Sequence, residues 1–433
     1  MNSLIFFIIV LLVLALGVKF KISYGILGLG AAFIVGMVFL DMDYAGIIGL
    51  FPTRILFQIM NATIFYGFAN SNGTMNKVAG RLVYIFRNQK KFIVLILYAI
   101  AIIISALGAG AVSTNIIMGP IAFSVAAQFG LNPIFGPLIA CLGASVGDWA
   151  PWGASAAWFS SWTGEYIGME GGKAVVMNCL LWYFIVFTLV IVACFFIFKG
   201  YRIKDTQLIV AKPEPLDKKQ KLTLALIITM ILLIVVPNLL LVALPDSAVL
   251  LWMTTYLSVQ TLCAIGSVIL AFAKAADMKD VLKNQVPWET IYMVCGIATL
   301  MAMCEQMGVI EAAQGIISNV PAFLVVGVIC LICGILSFFV TGMTVLSLML
   351  ALVVPICAAT GHSQIALCTA IYIGLDGAGF SPFSMGGSMG AMACPDTYDK
   401  TRLANTQMIV AVCIVLTCVV FALIGAYGWG AAF

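Results

Sequence analysis

The chain has 433 residues, 63% of them hydrophobic and only 9% charged, with a mean hydropathy of +1.15 and a formal net charge of +4. A water-soluble domain of this length carries charge at roughly a quarter of its positions, so composition excludes one and leaves a polytopic helical membrane protein. The single histidine, His362, falls in a predicted turn, and the thirteen cysteines fall almost entirely in apolar runs. That leaves no His dyad, Cys–His pair or metal cluster for an enzyme, and Cys is read as a small buried hydrophobe.

The first apolar run, residues 4–16, is shorter than the roughly 20 residues of a full crossing. It has no basic residue before it and no small-residue cleavage site, so it is expected to be a membrane helix rather than a signal peptide. Residues 24–40 and 45–69 give two more helices, and the amphipathic stretch opened by Gly73 is expected to lie along the interface. Residues 92–129 are too long for one crossing and are interrupted from Gly108 through Gly110, Ser113 and Thr114 to Asn115, which predicts a re-entrant hairpin. Next comes a loop with Gly143, Ser145, Gly147 and Asp148, in which Trp149 and Trp152 bracket Pro151 before Gly153 and Ser155. Gly, Pro and a carboxylate between apolar runs predict a broken membrane helix.

Residues 199–221 are the longest polar stretch and divide the chain into an N-terminal transmembrane repeat (1–198), a cytoplasmic linker (199–221) and a C-terminal inverted repeat (222–433). The second half repeats the order of the first. Helices at 222–244, 248–272 and 290–305 lead to an amphipathic stretch opened by Gly308 and a long run, 323–359, broken around Thr341, Gly342 and Thr344. A second loop follows, with Gly374, Asp376, Gly377, Gly379, Ser381 and Ser384, in which Phe380 and Phe383 bracket Pro382. A last helix covers 407–427. Gly143 falls on Gly374, Pro151 on Pro382, Ser105 on Ser337 and Gly110 on Gly342.

If the turn at Lys19 and Lys21 faces the cytoplasm, all but Arg54 and Lys173 of the 21 basic residues come out on that side. The positive-inside rule then supports twelve segments with both termini extracytoplasmic, and the first hairpin opens inside while the second opens outside. The fold class is therefore all-α and polytopic, an inverted-topology repeat with a re-entrant hairpin and a broken helix in each half. Duplicated broken helices point to a secondary transporter's binding site, because non-helical backbone at membrane depth must be buried or line a wet cavity. Helix N-termini meeting there can hold an anion without a basic side chain.

Residues 68–79 and 105–110 resemble the N-terminal domain of bacterial malonate/dicarboxylate carriers. The chain as a whole is similar in layout to the ion-transporter superfamily of secondary carriers, which includes the divalent-anion:sodium symporters. Ser113, Thr114 and Asn115 stand where symporters of that group carry a Ser-Asn-Thr signature, with the last two exchanged, and Thr341, Gly342 and Thr344 replace the second copy. The resemblance implies a homodimer, an elevator-like displacement of the hairpin-bearing domain, a small organic dianion as substrate, and Na⁺ or H⁺ as driving ion. Asp148 and Asp376 depart from the neutral oxygens usual there and leave the choice between those ions open.

The expected function is a multi-pass carrier of the cell inner membrane that moves a C3–C6 di- or tricarboxylate with Na⁺ or H⁺. It is not an enzyme and has no cofactor beyond Na⁺ as coupling ion. Its partners are the anion, the cation, membrane lipid and a second copy of the chain, with no nucleic acid. The substrate set is Gly110, Ser113, Thr114, Asn115, Trp152, Gly153, Thr341, Gly342, Thr344, Ser381, Phe383 and Ser384. The coupling-ion set is Ser113, Asn115, Gly143, Ser145, Gly147, Asp148, Thr341, Gly374, Asp376 and Gly379, with the aspartates as cation ligands or proton carriers. The alternative is a Na⁺/H⁺ antiporter working through Asp148 and Asp376 alone. Pro151 and Pro382 read as helix breakers, Trp158 and Trp162 as interfacial belt residues, Glu305 and Glu311 as solvated, and Arg54 as a snorkelling edge residue or an anion partner.

Overall fold

The computed structural model describes residues 2–20, 22–203, 213–244, 246–303, 307, 321–338, 342–392, 394–395 and 398–432, and every regular element among them is helical. Among the described residues, five helical stretches are long and apolar enough to cross a membrane, the 40-residue Lys90–Phe129 being one of them, and Ala248–Tyr256 with Val259–Phe272, bent by 71°, counts as a sixth when the pair is taken as one span. Further apolar helices, such as Phe135–Asp148 and Gln364–Ala378, are shorter than a crossing and stop before loops rich in glycine and proline. The second amphipathic stretch, Thr341, Glu305 and Glu311 lie outside the described residues.

In the first half, α1 (Asn2–Phe20), α2 (Tyr24–Phe39), α3 (Tyr44–Gly49) and α4 (Thr53–Ser71) lead to the amphipathic α5 (Thr74–Phe86). Helix α6 (Ile93–Ile104) runs into a wide turn at Ser105–Ala109, and α7 (Gly110–Phe129) leaves it. Gly108 and Gly110 take φ of +99° and +72°, values open to glycine and strained for other residues. The break is thus shorter than the sequence predicts: Ser113, Thr114 and Asn115 sit in the opening turns of α7, since no Gly or Pro stands between Gly110 and Asn115. The next helix, α8 (Phe135–Asp148), passes beside α6 in the same direction, with Gly143 over Tyr98 and Ala101, and Gly147 over Ile102 and Ser105. Helix α7 is joined to α8 by a short turn at one end and meets Asp148 at the other, so α6 and α7 are antiparallel arms of a hairpin.

Helix α9 (Ala154–Ile167) and the long α10 (Met169–Ile197) complete this half. The second half comprises α11 (Lys218–Ala243), α12 (Ala248–Tyr256), α13 (Val259–Phe272), α14 (Trp288–Met301), α15 (Ala322–Ser337), α16 (Gly342–Thr360), α17 (Gln364–Ala378), α18 (Met385–Met392) and α19 (Lys400–Leu423). The halves interlock: α2 packs on α14, α13 on α4, α7 on α18, and α9 on α16. Gly25 and Gly296 let α2 and α14 cross backbone to backbone, as small residues do between membrane helices.

The start of α11 is tied back to the first half. Asp217 and Gln220 form a capping box, Gln220 Nε2 donates to the Asn72 carbonyl at 2.9 Å, and Asn72 Nδ2 donates to Thr223 Oγ1 at 2.9 Å. Lys77 pairs with Glu214 at 3.5 Å.

Candidate functional site

The two broken loops and the first hairpin turn meet in the interior. Helix α8 ends at Asp148 and α9 restarts at Ala154; α17 ends at Ala378 and α18 restarts at Met385, so Pro151 and Pro382 both fall in the breaks. Trp152 fastens the first loop to the hairpin, its indole Nε1 donating to the Ala106 carbonyl at 2.7 Å while its own carbonyl accepts from the Tyr66 hydroxyl at 2.7 Å. The Tyr66 ring fills the space over Gly108, where a Cβ would have no room.

Asp148 is half-buried, and its carboxylate accepts from the backbone N–H of Ala111 and the Ser155 hydroxyl. Ala111 lies in the first turn of α7, where N–H groups have no intrahelical partner and the dipole end is positive. Asp148 therefore sits at the anion-favouring end of the hairpin's second arm. Asp376, half-buried on α17, is near enough for the two charges to interact. It is hydrogen-bonded by Tyr183 of α10.

Next to Ala111 on the same helix, Thr114 and Asn115 are buried, and Thr114 Oγ1 and Asn115 Oδ1 have no hydrogen-bond partner among the described residues. Buried polar atoms without partners are uncommon and call for a reason. Asn115 faces α18, where a Cβ on Gly390 would stand 3.6 Å from Asn115 Oδ1. Ser113 and Ser145 are half-buried nearby in sequence, on α7 and α8.

The second loop is closed on itself. The Gly379 carbonyl accepts from Gly387 N at 3.0 Å and from the Ser384 hydroxyl, which also donates to the Ser381 carbonyl at 2.7 Å. Ser381 is buried, with Oγ accepting from Phe383 N at 3.2 Å. Gln407, fully buried on α19, pins the loop by donating to the Phe380 carbonyl at 2.8 Å and the Gly387 carbonyl at 2.9 Å. Cys141 Sγ of α8 reaches the Gly379 carbonyl at 3.8 Å, a direct contact between the two halves.

Other sequence-selected residues sit elsewhere. Gly143 and Gly147 face α6: a Cβ on Gly143 would meet Ala101 Cβ at 2.5 Å and the Tyr98 carbonyl at 3.0 Å. Gly374 faces α15 in the same manner, with the Cys330 carbonyl 2.5 Å from its Cβ position. Gly153 is buried, with its N–H on the Ala150 carbonyl at 2.7 Å. A Cβ on Gly342 would lie 3.6 Å from Ser337 Oγ, and Thr344 is buried with Oγ1 3.5 Å from Met293 Sδ. Phe383 is 79% exposed and Arg54 is exposed at the start of α4. Trp158 and Trp162 are buried rather than interfacial, because with Phe159 they continue a stack from Trp149: ring centroids lie 4.9 Å apart for Trp149–Phe159, 4.0 Å for Phe159–Trp158 and 5.8 Å for Trp158–Trp162.

The sequence reading missed Tyr66, Tyr183 and Gln407. Each is a hydrogen-bonding side chain within an apolar helix. That signal was available, but a tyrosine or glutamine in such a run is more often simple packing.

Residues 1–148 match the family model described as the dicarboxylate carrier protein MatC N-terminus. No curated protein matches the chain. Among solved structures it is similar to the YdaH transporter of Alcanivorax borkumensis (TM-score 0.64, 13% identity, 99% of each chain covered). It is also similar to MtrF of Neisseria gonorrhoeae, from a class of antimetabolite efflux pumps (TM-score 0.56, 12% identity, 98% of this chain and 94% of that one). The structural likenesses show that the chain shares the all-helical fold of these two proteins over nearly its whole length. The match of residues 1–148 bears out the resemblance of the N-terminal part to dicarboxylate carriers read from the sequence.

Proposed function

We propose that the chain is a secondary active carrier of a small organic dianion, a C3–C6 di- or tricarboxylate, coupled to Na⁺ or H⁺. The observation that carries this reading is the meeting of three helix breaks at two carboxylates. The opening turns of α7 lie against Asp148 at the end of α8, and Asp376 is within electrostatic reach. An anion could take the N–H groups at the start of α7 and the unpartnered Thr114 and Asn115. The Asn115 amide can present either its oxygen or its NH₂, and a cation on the aspartates would offset the added charge. The match of residues 1–148 to a dicarboxylate carrier model supports an anion as cargo.

In this reading the halves are related by inversion, the hairpin-bearing helices move as one body past α2, α4, α13 and α14, and two copies form a dimer in the inner membrane. Both chain termini are extracytoplasmic. A second reading, a Na⁺/H⁺ antiporter, is favoured by one observation, the proximity of Asp148 to Asp376. Uptake of labelled malonate, succinate and citrate into proteoliposomes, with Na⁺ and pH gradients imposed separately, tests both. Saturable uptake of one anion driven by one gradient and lost in Asp148→Asn supports the carrier. Proton movement driven by a Na⁺ gradient, with no anion moving, supports the antiporter and removes the dianion assignment.

A further inference from the structure

Tyr183 of α10 is fully buried, and its hydroxyl stands between two acceptors. One is the Tyr372 carbonyl at 2.8 Å, and the other is the carboxylate of Asp376. Its oxygen also accepts from the Trp149 side chain, whose ring lies 5.1 Å from its own. A phenol has one proton to donate, and the indole N–H can only donate, so the Tyr183 proton serves Tyr372 or Asp376 but not both. A bond to an ionised carboxylate is stronger than one to a neutral carbonyl. Among the described residues, the ionisable groups that interact with Asp376 are Asp148 and Cys141 from α8, Cys179 and Tyr183 from α10, and Cys418 from α19, and none of these is basic. The balancing positive charge must then come from outside the set.

We propose that Tyr183 is a positioning residue for the coupling cation. Its O–H donates to Asp376 while that carboxylate is empty and turns to the Tyr372 carbonyl when a cation or proton arrives. This rests on the carrier reading, with Asp376 as a cation ligand. Tyr183 thereby stabilises the empty site and weakens cation binding to the level at which release is possible. Trp149, which follows Asp148 directly, holds the phenol oxygen in place and links the two aspartates through one buried chain.

The test uses purified full-length protein: wild type, Tyr183→Phe, Asp376→Asn and the double variant. Thermal unfolding is followed against Na⁺ at fixed pH, and against pH without Na⁺. Tyr183→Phe keeps the ring and removes the competing donor, so its half-saturating cation concentration should fall about tenfold, as loss of one charge-assisted bond implies. In the Asp376→Asn background the same substitution should change nothing, whereas a merely structural effect would persist.

A Tyr183→Phe midpoint within twofold of wild type, or an equal shift in both backgrounds, overturns the proposal and leaves the carrier reading standing. A wild-type response untouched by Asp376→Asn overturns it too, by placing the cation elsewhere. If the wild type responds to neither cation, cation coupling and the proposal fall together. Malonate uptake by the same preparation then shows whether an uncoupled anion carrier survives.

Discussion

The Tyr66 hydroxyl donates to the Trp152 carbonyl at 2.7 Å while the Tyr66 ring occupies the space above Gly108. One side chain of α4 thus holds both the hairpin turn and the first broken loop. Gly108→Ala must overcome a positive φ and displace a buried ring, each costing about 1–3 kcal/mol. Gly361, with φ +74° and open space around it, faces only the first cost. Thermal unfolding should therefore place Gly108→Ala well below Gly361→Ala. Equal losses would mean that the Tyr66 contact contributes nothing.

Gly143 and Gly374 each accept a carbonyl of the neighbouring helix where a Cβ would otherwise project, from Tyr98 and Cys330 respectively. These partners also correspond when Ser105 is set on Ser337. Gly143→Ala and Gly374→Ala should each destabilise by about 1–3 kcal/mol through overpacking. Gly30→Ala on α2, with no neighbour within 4 Å, should be neutral or slightly stabilising. If Gly143 and Gly374 behave like Gly30, the glycines serve something other than helix approach.

Gln407 bridges two carbonyls across the second loop. Gln407→Leu keeps the volume but leaves the Phe380 and Gly387 carbonyls buried without that donor, at about 1–3 kcal/mol each. The expected result is a large fall in unfolding temperature together with loss of transport. A stable variant with normal uptake would show that the loop closes without it.

Both breaks were legible in the sequence because clustered Gly and Pro disfavour a helix and a carboxylate is costly inside a membrane. Asp148 and Asp376 stood out for the same reason. The length of the first break was misjudged, since Ser113, Thr114 and Asn115 are compatible with the helix that Gly110 starts. Trp158 and Trp162 carry no local sign of burial, which comes from stacking reached through Trp149 across the loop. Tyr183 and Gln407 matter only for which carbonyl or carboxylate a distant element brings to them, and spacing along one chain does not encode that.

Outside the membrane-spanning segments, Ser71 Oγ donates to Asp280 Oδ2 at 2.5 Å and Asn284 Nδ2 to Asp280 Oδ1 at 2.7 Å, and these bonds hold the Asp280 carboxyl below its usual pKa. A lowered pKa means that the folded state favours the ionised form. The contribution is therefore complete above the ordinary carboxylate range and is lost as pH falls through the lowered value. Asp280→Asn should unfold at a lower temperature than wild type at neutral pH, with the gap closing on the acid side. A gap independent of pH would assign the effect to the side chain's shape instead of its charge.

Thr114 separates a binding role from a packing role, because its hydroxyl is buried without a partner among the described residues. A residue kept for stability would lose stability when altered, yet Thr114→Val removes an unsatisfied polar atom at nearly constant volume. The folded protein should then be unchanged or firmer by up to about 1 kcal/mol, while uptake of the dianion falls by an order of magnitude or more through a raised KM. Paired measurement of unfolding temperature and initial uptake rate decides between the two roles. A variant that unfolds early and still transports would make Thr114 a packing residue and move the substrate away from α7.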